Sequence, residues 1–596
     1  MGRHIILIII FALLAFASAV PGDFILDDYI VIVNNRIVAS PDRIGSLFNK
    51  DAYLSGADKV LFDRGSAEFG AGEATYRPVA TFSYMLNHAL CGSNPVCFRL
   101  TNVLIHAANG VLLYLLLLAL FGIPGFSLLS ALIFVVHPLS AEVLCCSAFR
   151  PNLLALFFSL SSLIFHLRSG KKGKAGALAA AVAGYFLAMF SKETALFLPV
   201  AAAFCDFLQG GRRLLFERLR VYAFYAAAAV LFLIVYLFLM PPQQAVMQGP
   251  LMVGNNLFRM FDITAFYLKD LFVPVDPLFI FPFQLKHSLP RAVCGAFIYA
   301  GLLYALVRFR RMPPPFFFGL LWFFLWLFPM NNFLYAFRVP VAYRYLYLPL
   351  AGFAAAAAYP LWLLWSGRAA LGNKLRYVLP GAFIAYLLVL AVFSNNNWKN
   401  ETNLYLSLER KYPGSPFSQL GMGTVLTRYG RFAEAKIKLE KLLRSSWKLH
   451  KNDLSVVYRT LSIIYLRLGE YGKAEEMYLK TLEMFPAAGA VWGELGGCYA
   501  LQGKYDLALE SLDRAQELSP GRGTLSFKKG MVYLLKKDVE KAGDQFALLR
   551  SSSEGPEDLA ETEYYLLLEK AGKSVYNSLS GAESKLLGFI WKGEDL

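Results

Sequence analysis

The chain has 596 residues, of which 57% are hydrophobic, 15% aromatic and only 17% charged, with a mean hydropathy of +0.47. That composition belongs to a polytopic membrane protein and excludes an ordinary soluble enzyme. The formal charge of +16 does not call for nucleic acid. Residues 396–596 hold 28 basic and 26 acidic residues, so the excess (+14 against +2) lies among the apolar runs of residues 1–395. The positive-inside bias produces such an excess, and no basic-aromatic face tracks a phosphate backbone.

In chain order, a basic start (Met1-Gly-Arg-His4) leads into the apolar run Ile5–Val20 with a small-residue end. It reads as a cleaved signal peptide or as an uncleaved first span. The second reading is preferred, because an acidic stretch with Asp23, Asp27 and Asp28 follows closely and would gain a fixed place at the membrane surface. Two adjacent carboxylates there must face water or a polar cavity, since the lipid core penalises each by several kcal/mol.

Further apolar runs are separated by four basic clusters: Arg168 with Lys171, Lys172 and Lys174; Arg212, Arg213, Arg218 and Arg220; Arg308, Arg310 and Arg311; and Arg368, Lys374 and Arg376. These mark cytoplasmic loops. Eleven spans are then expected, at about 5–20, 97–121, 125–141, 151–168, 175–191, 194–209, 221–240, 292–308, 315–331, 345–366 and 376–394. The N-terminus is inside, the C-terminus outside, and residues 21–96 and 241–290 form two outer loops. Phe258–Val273, within the second loop, reads as an interfacial or re-entrant helix.

Seven cysteines (91, 97, 145, 146, 205, 294 and 498) form no CxxC pair and no His/Cys ligand set, so no structural zinc is indicated. Cys91 and Cys97 fall on the outer side, where a disulfide is permitted but needs a bend between them.

From residue 396 the composition turns to mixed charge with Ala, Leu and Tyr at helical spacing. Tyr465, Gly469, Tyr471, Ala474 and Pro486 recur 34 residues later as Tyr499, Gly503, Tyr505, Ala508 and Pro520, which is the tetratricopeptide period. An earlier copy (Gly423, Gly430, Phe432, Ala435) sits 39 residues before the next. Four repeats and a C-terminal capping helix are expected in residues 396–596. They would stack into a superhelix whose groove takes an extended peptide or a partner helix.

Besides Asp27 and Asp28, the outer-side polar residues form compact sets: Tyr76-Arg77-Pro78; Asn102 to His106; His137 to Glu142 with Arg150; Ser191-Lys192-Glu193-Thr194; and Tyr343-Arg344-Tyr345 to Pro349. Ionisable residues within or capping spans are expensive unless paired or functional. Guanidinium and ammonium groups suit a phosphate, and a carboxylate can take a proton from an attacking hydroxyl. No Walker loop or dinucleotide fingerprint offers a cradle for a soluble nucleotide donor.

These motifs in this order, followed by tetratricopeptide repeats, resemble the transmembrane and tetratricopeptide-repeat O-mannosyltransferases, relatives of the class C (GT-C) glycosyltransferases. One departure is Asn152, which stands where the family usually has Asp after the arginine. The resemblance implies an all-α fold, a GT-C-type helical bundle in residues 1–395 followed by a repeat superhelix in residues 396–596. It also implies transfer of mannose or another hexose, with inversion, from a polyprenyl or dolichyl phosphate to Ser/Thr of a protein acceptor. Short loops suggest a prokaryotic inner membrane with the site facing the periplasm; a eukaryotic member would sit in the endoplasmic reticulum membrane. In this reading Asp27 is the general base, and Asp28 holds a helix end or orients Asp27. Arg150, Lys192 and Arg344 stabilise the departing phosphate, His137 and Glu142 shape the donor pocket, and Arg77, His106, Glu193 and Tyr345 complete the substrate-binding set. No metal or other cofactor is expected. The alternatives are transfer to a glycan or lipid acceptor, a transporter, and a membrane scaffold whose repeats do the docking.

Overall fold

The computed structural model describes residues 1–35, 37–39, 44, 45, 47, 76–170, 175–239, 253–275, 288–308, 311–333, 339–367, 374–447, 449, 451–519 and 523–550. Parts of both expected outer loops lie outside the described residues. So do Lys171, Lys172, Lys174, Arg310, Arg368, Pro520 and the expected capping helix. The described regular elements are all helical and fall into two compact units, divided at Pro413/Gly414.

The first unit contains α1 (Gly2–Phe16), α2 (Pro78–Cys91), α3 (Pro95–Phe121), α4 (Pro124–Val135), α5 (Ala141–Cys145), α6 (Arg150–Ser169), α7 (Ala175–Ser191) and α8 (Leu198–Glu217). It continues with α9 (Leu219–Leu239), α10 (Val253–Phe272), α11 (Leu289–Val307), α12 (Pro314–Leu327), α13 (Tyr347–Trp365), α14 (Leu375–Asn397) and α15 (Glu401–Lys411). Among the described residues, eight helices are long and apolar enough to cross a membrane, and α4 with Pro138–Cys145 makes a ninth, bent by 48°. Two shorter apolar helices, Ala175–Ser191 and Pro314–Met330, coincide with the remaining two expected spans. The bend comes where Pro138 removes a backbone donor and His137 takes extended angles.

Local chemistry sets the ends. Prolines open α2, α3, α4, α11 and α12, where a missing N–H costs nothing. Asn94 caps α3, and Gly122 closes it in the left-handed region at φ 64. Cys91 and Cys97 are joined by a disulfide across the α2–α3 corner, and the required bend is supplied by Gly92 to Asn94. Helices α12 and α13 approach backbone to backbone at Gly319 and Gly352, where a Cβ on Gly352 would lie 2.5 Å from the Phe323 amide nitrogen. Trp322 Nε1 donates to the Leu348 carbonyl beside this crossing, at 2.9 Å.

The two ends of this unit are tied together. Arg99, fully buried on α3, donates to the carbonyls of Ala19, Asp23, Trp398 and Lys399, and Asn395 on α14 donates to Ala15 O and Ser18 Oγ. Helix α15 belongs to this unit, so the compact boundary falls later than the change in composition at 395/396.

The described residues of the second unit form four helix pairs: α16 (Pro416–Arg428) with α17 (Phe432–Leu443), α18 (Lys451–Arg467) with α19 (Tyr471–Met484), α20 (Gly489–Gln502) with α21 (Tyr505–Leu518), and α22 (Gly523–Leu535) with α23 (Val539–Arg550). The turn within each of the first three pairs carries a left-handed glycine, Gly430, Gly469 or Gly503, at φ 73 to 81. The fourth pair places Lys537 there at φ 66, a conformation that costs a side-chain-bearing residue about 1 kcal/mol or more. Ala435, Ala474, Ala508 and Ala542 are buried at equivalent positions on the second helices, where small side chains let the pairs close.

Candidate active site

The acidic stretch is a locked turn. Asp28 is fully buried; its Oδ1 accepts from the Ala148 N–H at 2.6 Å and the Cys146 thiol at 3.4 Å, and its Oδ2 accepts from the Ile25 N–H at 3.1 Å. The Asp28 N–H returns to Ile25 O at 3.0 Å, which holds Leu26 in the left-handed region at φ 50. Burial pushes the Asp28 carboxyl above its usual range, against the pull of the backbone donors. With its carboxylate enclosed by these donors, Asp28 sits where the expected helix-end or orienting role would place it, and not at the open surface of the site. It pins the turn to the α5–α6 corner and fixes Asp27, which is half-buried beside it.

Five sets separated in sequence meet at one end of the bundle. Glu142 on α5 accepts from Arg344, through Oε1 from Nη1 at 2.8 Å and through Oε2 from the backbone N–H at 3.1 Å. The Arg344 guanidinium lies over the rings of Phe149 at 4.5 Å and Tyr345 at 5.2 Å, and the Asp27 charge acts on it. Lys192 also approaches Tyr345, its Nζ 5.9 Å from the ring centroid, and donates to Asn152 Oδ1 at 2.5 Å. Glu193, next in the chain, is held by Arg77 through Nη2–Oε1 at 2.9 Å and Nε–Oε2 at 3.3 Å. Arg344, Tyr345 and Lys192 thus adjoin, Glu193 with its partner Arg77 comes next, and Asp27 lies within electrostatic reach of Arg344. Partial exposure of Arg77, Glu193 and Arg344 (22%, 34% and 21%) leaves them open to a ligand.

Three expected substrate contacts lie elsewhere. Arg150 is fully buried, donating to Asn102 Oδ1 at 2.7 Å, to Ser83 O and Oγ at 3.1 Å and to Phe98 O at 3.1 Å, with Tyr84 under its guanidinium at 4.7 Å. These bonds brace α6 against α2 and α3. His106 is enclosed by Phe16, Phe134 and Tyr347 and bonds Tyr347 Oη at 2.8 Å and Val135 O at 3.2 Å. His137 Nδ1 accepts from the Leu139 N–H while Nε2 donates to Leu271 O. Both rings are fully buried and bonded within the protein, away from the exposed part of the cluster.

Sequence reasoning passed over Asn152 as a partner of Lys192, and Arg99. It also missed a buried network near the other end of α6. There Asp206 receives His166 at 3.0 Å, Arg218 at 2.7 Å and Tyr222 at 2.6 Å. The signal was available: Asp206 is a carboxylate within an apolar run. Among the described residues no group of three or more His, Cys, Asp or Glu is placed to hold a metal.

A multi-pass helical membrane unit with an ionic cluster at one end, joined to tetratricopeptide helix pairs, defines the class. Residues 76–239 match the family model described as dolichyl-phosphate-mannose-protein mannosyltransferase, and residues 459–523 match a tetratricopeptide repeat model. The Caenorhabditis elegans protein named protein O-mannosyl-transferase F38B6.6 is 24% identical over 445 residues, 73% of this chain and 61% of that protein. Human protein O-mannosyl-transferase TMTC4 is 32% identical over 181 residues (28% and 23%), and human TMTC1 is 30% identical over 196 residues (31% and 21%). The match spans less than two thirds of these curated relatives. Among solved structures, the tetratricopeptide protein YrrB, titled as having an unusual peptide-binding site, is 19% identical; the match covers 34% of this chain and 97% of that one, with a TM-score of 0.23. Over these stretches the chain is thus similar to proteins named protein O-mannosyl-transferase, in keeping with its motifs.

Proposed function

We propose that the membrane unit transfers a hexose, with mannose the first choice, from a polyprenyl or dolichyl phosphate to Ser or Thr hydroxyls of a protein. The observation that carries the reading is the cluster of Arg344, Tyr345, Lys192, Glu193 and Arg77, with the half-buried Asp27 carboxylate within electrostatic reach of Arg344. A displacement at the anomeric carbon needs a base on the acceptor hydroxyl and positive charge on the leaving phosphate. Asp27 takes the proton, and the sugar–phosphate bond breaks as the new glycosidic bond forms with inversion. Arg344 and Lys192 receive the phosphate charge, while Arg77 and Glu193 orient the sugar or the acceptor.

The Cys91–Cys97 disulfide supports a site that faces an oxidising compartment, the periplasm or the endoplasmic reticulum lumen. It lies about one and a half turns of α3 before Asn102, which holds Arg150 at the same end of the bundle. The repeats offer an acceptor protein a docking groove.

The test compares membranes from cells with and without the gene for transfer of labelled mannose from polyprenyl phosphate mannose to protein, with the modified Ser and Thr read by mass spectrometry. Lys192→Ala is expected to weaken donor binding about tenfold, as for a lost charged hydrogen bond. Label that appears equally without the gene would overturn the reading.

A further inference from the structure

Helix α10 carries none of the residues assigned above to the reacting groups, yet one of its faces grips the segment that presents Arg344. Tyr267, Asp270 and Leu271 stand three and four residues apart and so share that face. The Tyr267 hydroxyl, fully buried, accepts from the Ala342 N–H at 3.0 Å and donates to the Ala342 carbonyl at 3.2 Å. Asp270 Oδ2 accepts from the Tyr343 hydroxyl at 2.8 Å. The Leu271 carbonyl accepts from His137 Nε2 at 3.1 Å, at the bend that leads into α5 and Glu142. Both members of the Glu142–Arg344 pair are therefore held from α10, Arg344 through the two residues before it and Glu142 through His137.

The helix is itself fixed. Asp262, fully buried, takes a two-point contact from Arg291 on α11 at 2.6 and 3.1 Å, and Gly295 lets the α10 backbone come close, since a Cβ there would overlap the Phe261 carbonyl.

We infer that Tyr267 and Asp270 are positioning residues for Arg344: α10 sets where the guanidinium meets the leaving phosphate. The inference rests on the donor-binding reading of Arg344. The short helical turn Tyr343–Leu346 is anchored at Glu142 through the Arg344 N–H, and the Ala342 and Tyr343 contacts tie its start to α10. Small misplacements of a charge-bearing group cost large factors in rate or binding.

The experiment measures steady-state transfer from polyprenyl phosphate mannose to an acceptor protein by the purified full-length chain, with KM for the donor and kcat read separately. Variants are Asp270→Ala, Asp270→Asn, Tyr343→Phe, the Asp270→Ala/Tyr343→Phe pair, and Arg344→Gln. Asp270→Ala and Tyr343→Phe are each expected to raise donor KM about tenfold with kcat within about twofold, the size of one hydrogen bond to a charged group. The pair should be no worse than either single change, because both remove one interaction. Asp270→Asn keeps an acceptor for the tyrosine hydroxyl and should restore most of the loss. If Arg344→Gln raises donor KM while Tyr343→Phe, which is nearly isosteric, leaves it unchanged, the inference is overturned and the donor reading stands. If Arg344→Gln leaves donor KM unchanged, the donor reading fails and the inference with it.

Discussion

Asp27 and Asp28 are neighbours with opposite expected phenotypes. Replacing Asp28 with Ala strands the N–H groups of Ile25 and Ala148 in a site with no exposure. Each unsatisfied buried donor costs about 1–3 kcal/mol, so the loss is about 2–6 kcal/mol, weighted upward because the acceptor is a carboxylate. Asp28→Asn retains one oxygen and opposes an NH2 to the other N–H, so about half of that loss is expected. Asp27→Asn keeps the side-chain shape at a half-buried position and should cost less stability than Asp28→Ala. It should instead lower turnover about 100-fold or more, the usual worth of a positioned base. Thermal unfolding in detergent and single-turnover transfer from bound donor, run on the same preparations, separate the two effects. The reasoning is refuted if Asp28→Asn unfolds at the parental temperature while losing transfer, or if Asp27→Asn transfers at near the parental rate.

Four further outcomes are expected. Gly352→Ala forces a methyl into the α12–α13 crossing and should destabilise the membrane unit by about 1–3 kcal/mol, visible in thermal unfolding. Lys537→Gly relieves the left-handed strain of the last turn and should slow exchange of α22 and α23 amides by about 1 kcal/mol of opening energy. In the repeats, hydrogen bonds from Lys436 and Lys473 hold the Glu470 carboxyl below its usual range, so its contribution is present above the ordinary carboxylate pKa and disappears as pH falls through the lowered one. Glu470 is partly exposed, so Glu470→Gln should cost under about 1 kcal/mol at neutral pH in exchange of α19 amides, and nothing in strong salt. Ending the chain after Pro413 should leave transfer to a short peptide while reducing transfer to a long protein acceptor, and equal rates on both would make the repeats a spacer.

Much of this architecture can be read from local patterns. Apolar runs of about twenty residues mark spans because an uninterrupted helix satisfies its own backbone in lipid. The 34-residue recurrence of Gly469 and Gly503 marks repeats because each turn needs a left-handed residue. What the linear chain does not carry is which charges meet. Arg77 and Glu193 lie 116 residues apart, Glu142 and Arg344 202, and no periodicity encodes either encounter. Nor does adjacency distinguish Asp27 from Asp28, because burial against Ala148 decides between them. Arg150 shows the opposite failure. Its charge at a span end reads as functional, but Asn102, Ser83 and the Phe98 carbonyl form a complete cage around it.

The Arg99 tie also sets a clock. Its guanidinium needs the Trp398 carbonyl, which is made 299 residues later. At roughly 5–20 residues per second of synthesis, the charge waits about 15–60 s for that acceptor. Throughout that interval α1 and α3 have no α14 to close against. Until the segment after α14 emerges, Arg99 has two of its four carbonyl acceptors, those of Ala19 and Asp23, and the tie is complete only when Trp398 and Lys399 arrive. A chain stopped within α14 would never leave that state, and its expected fate is degradation rather than partial activity.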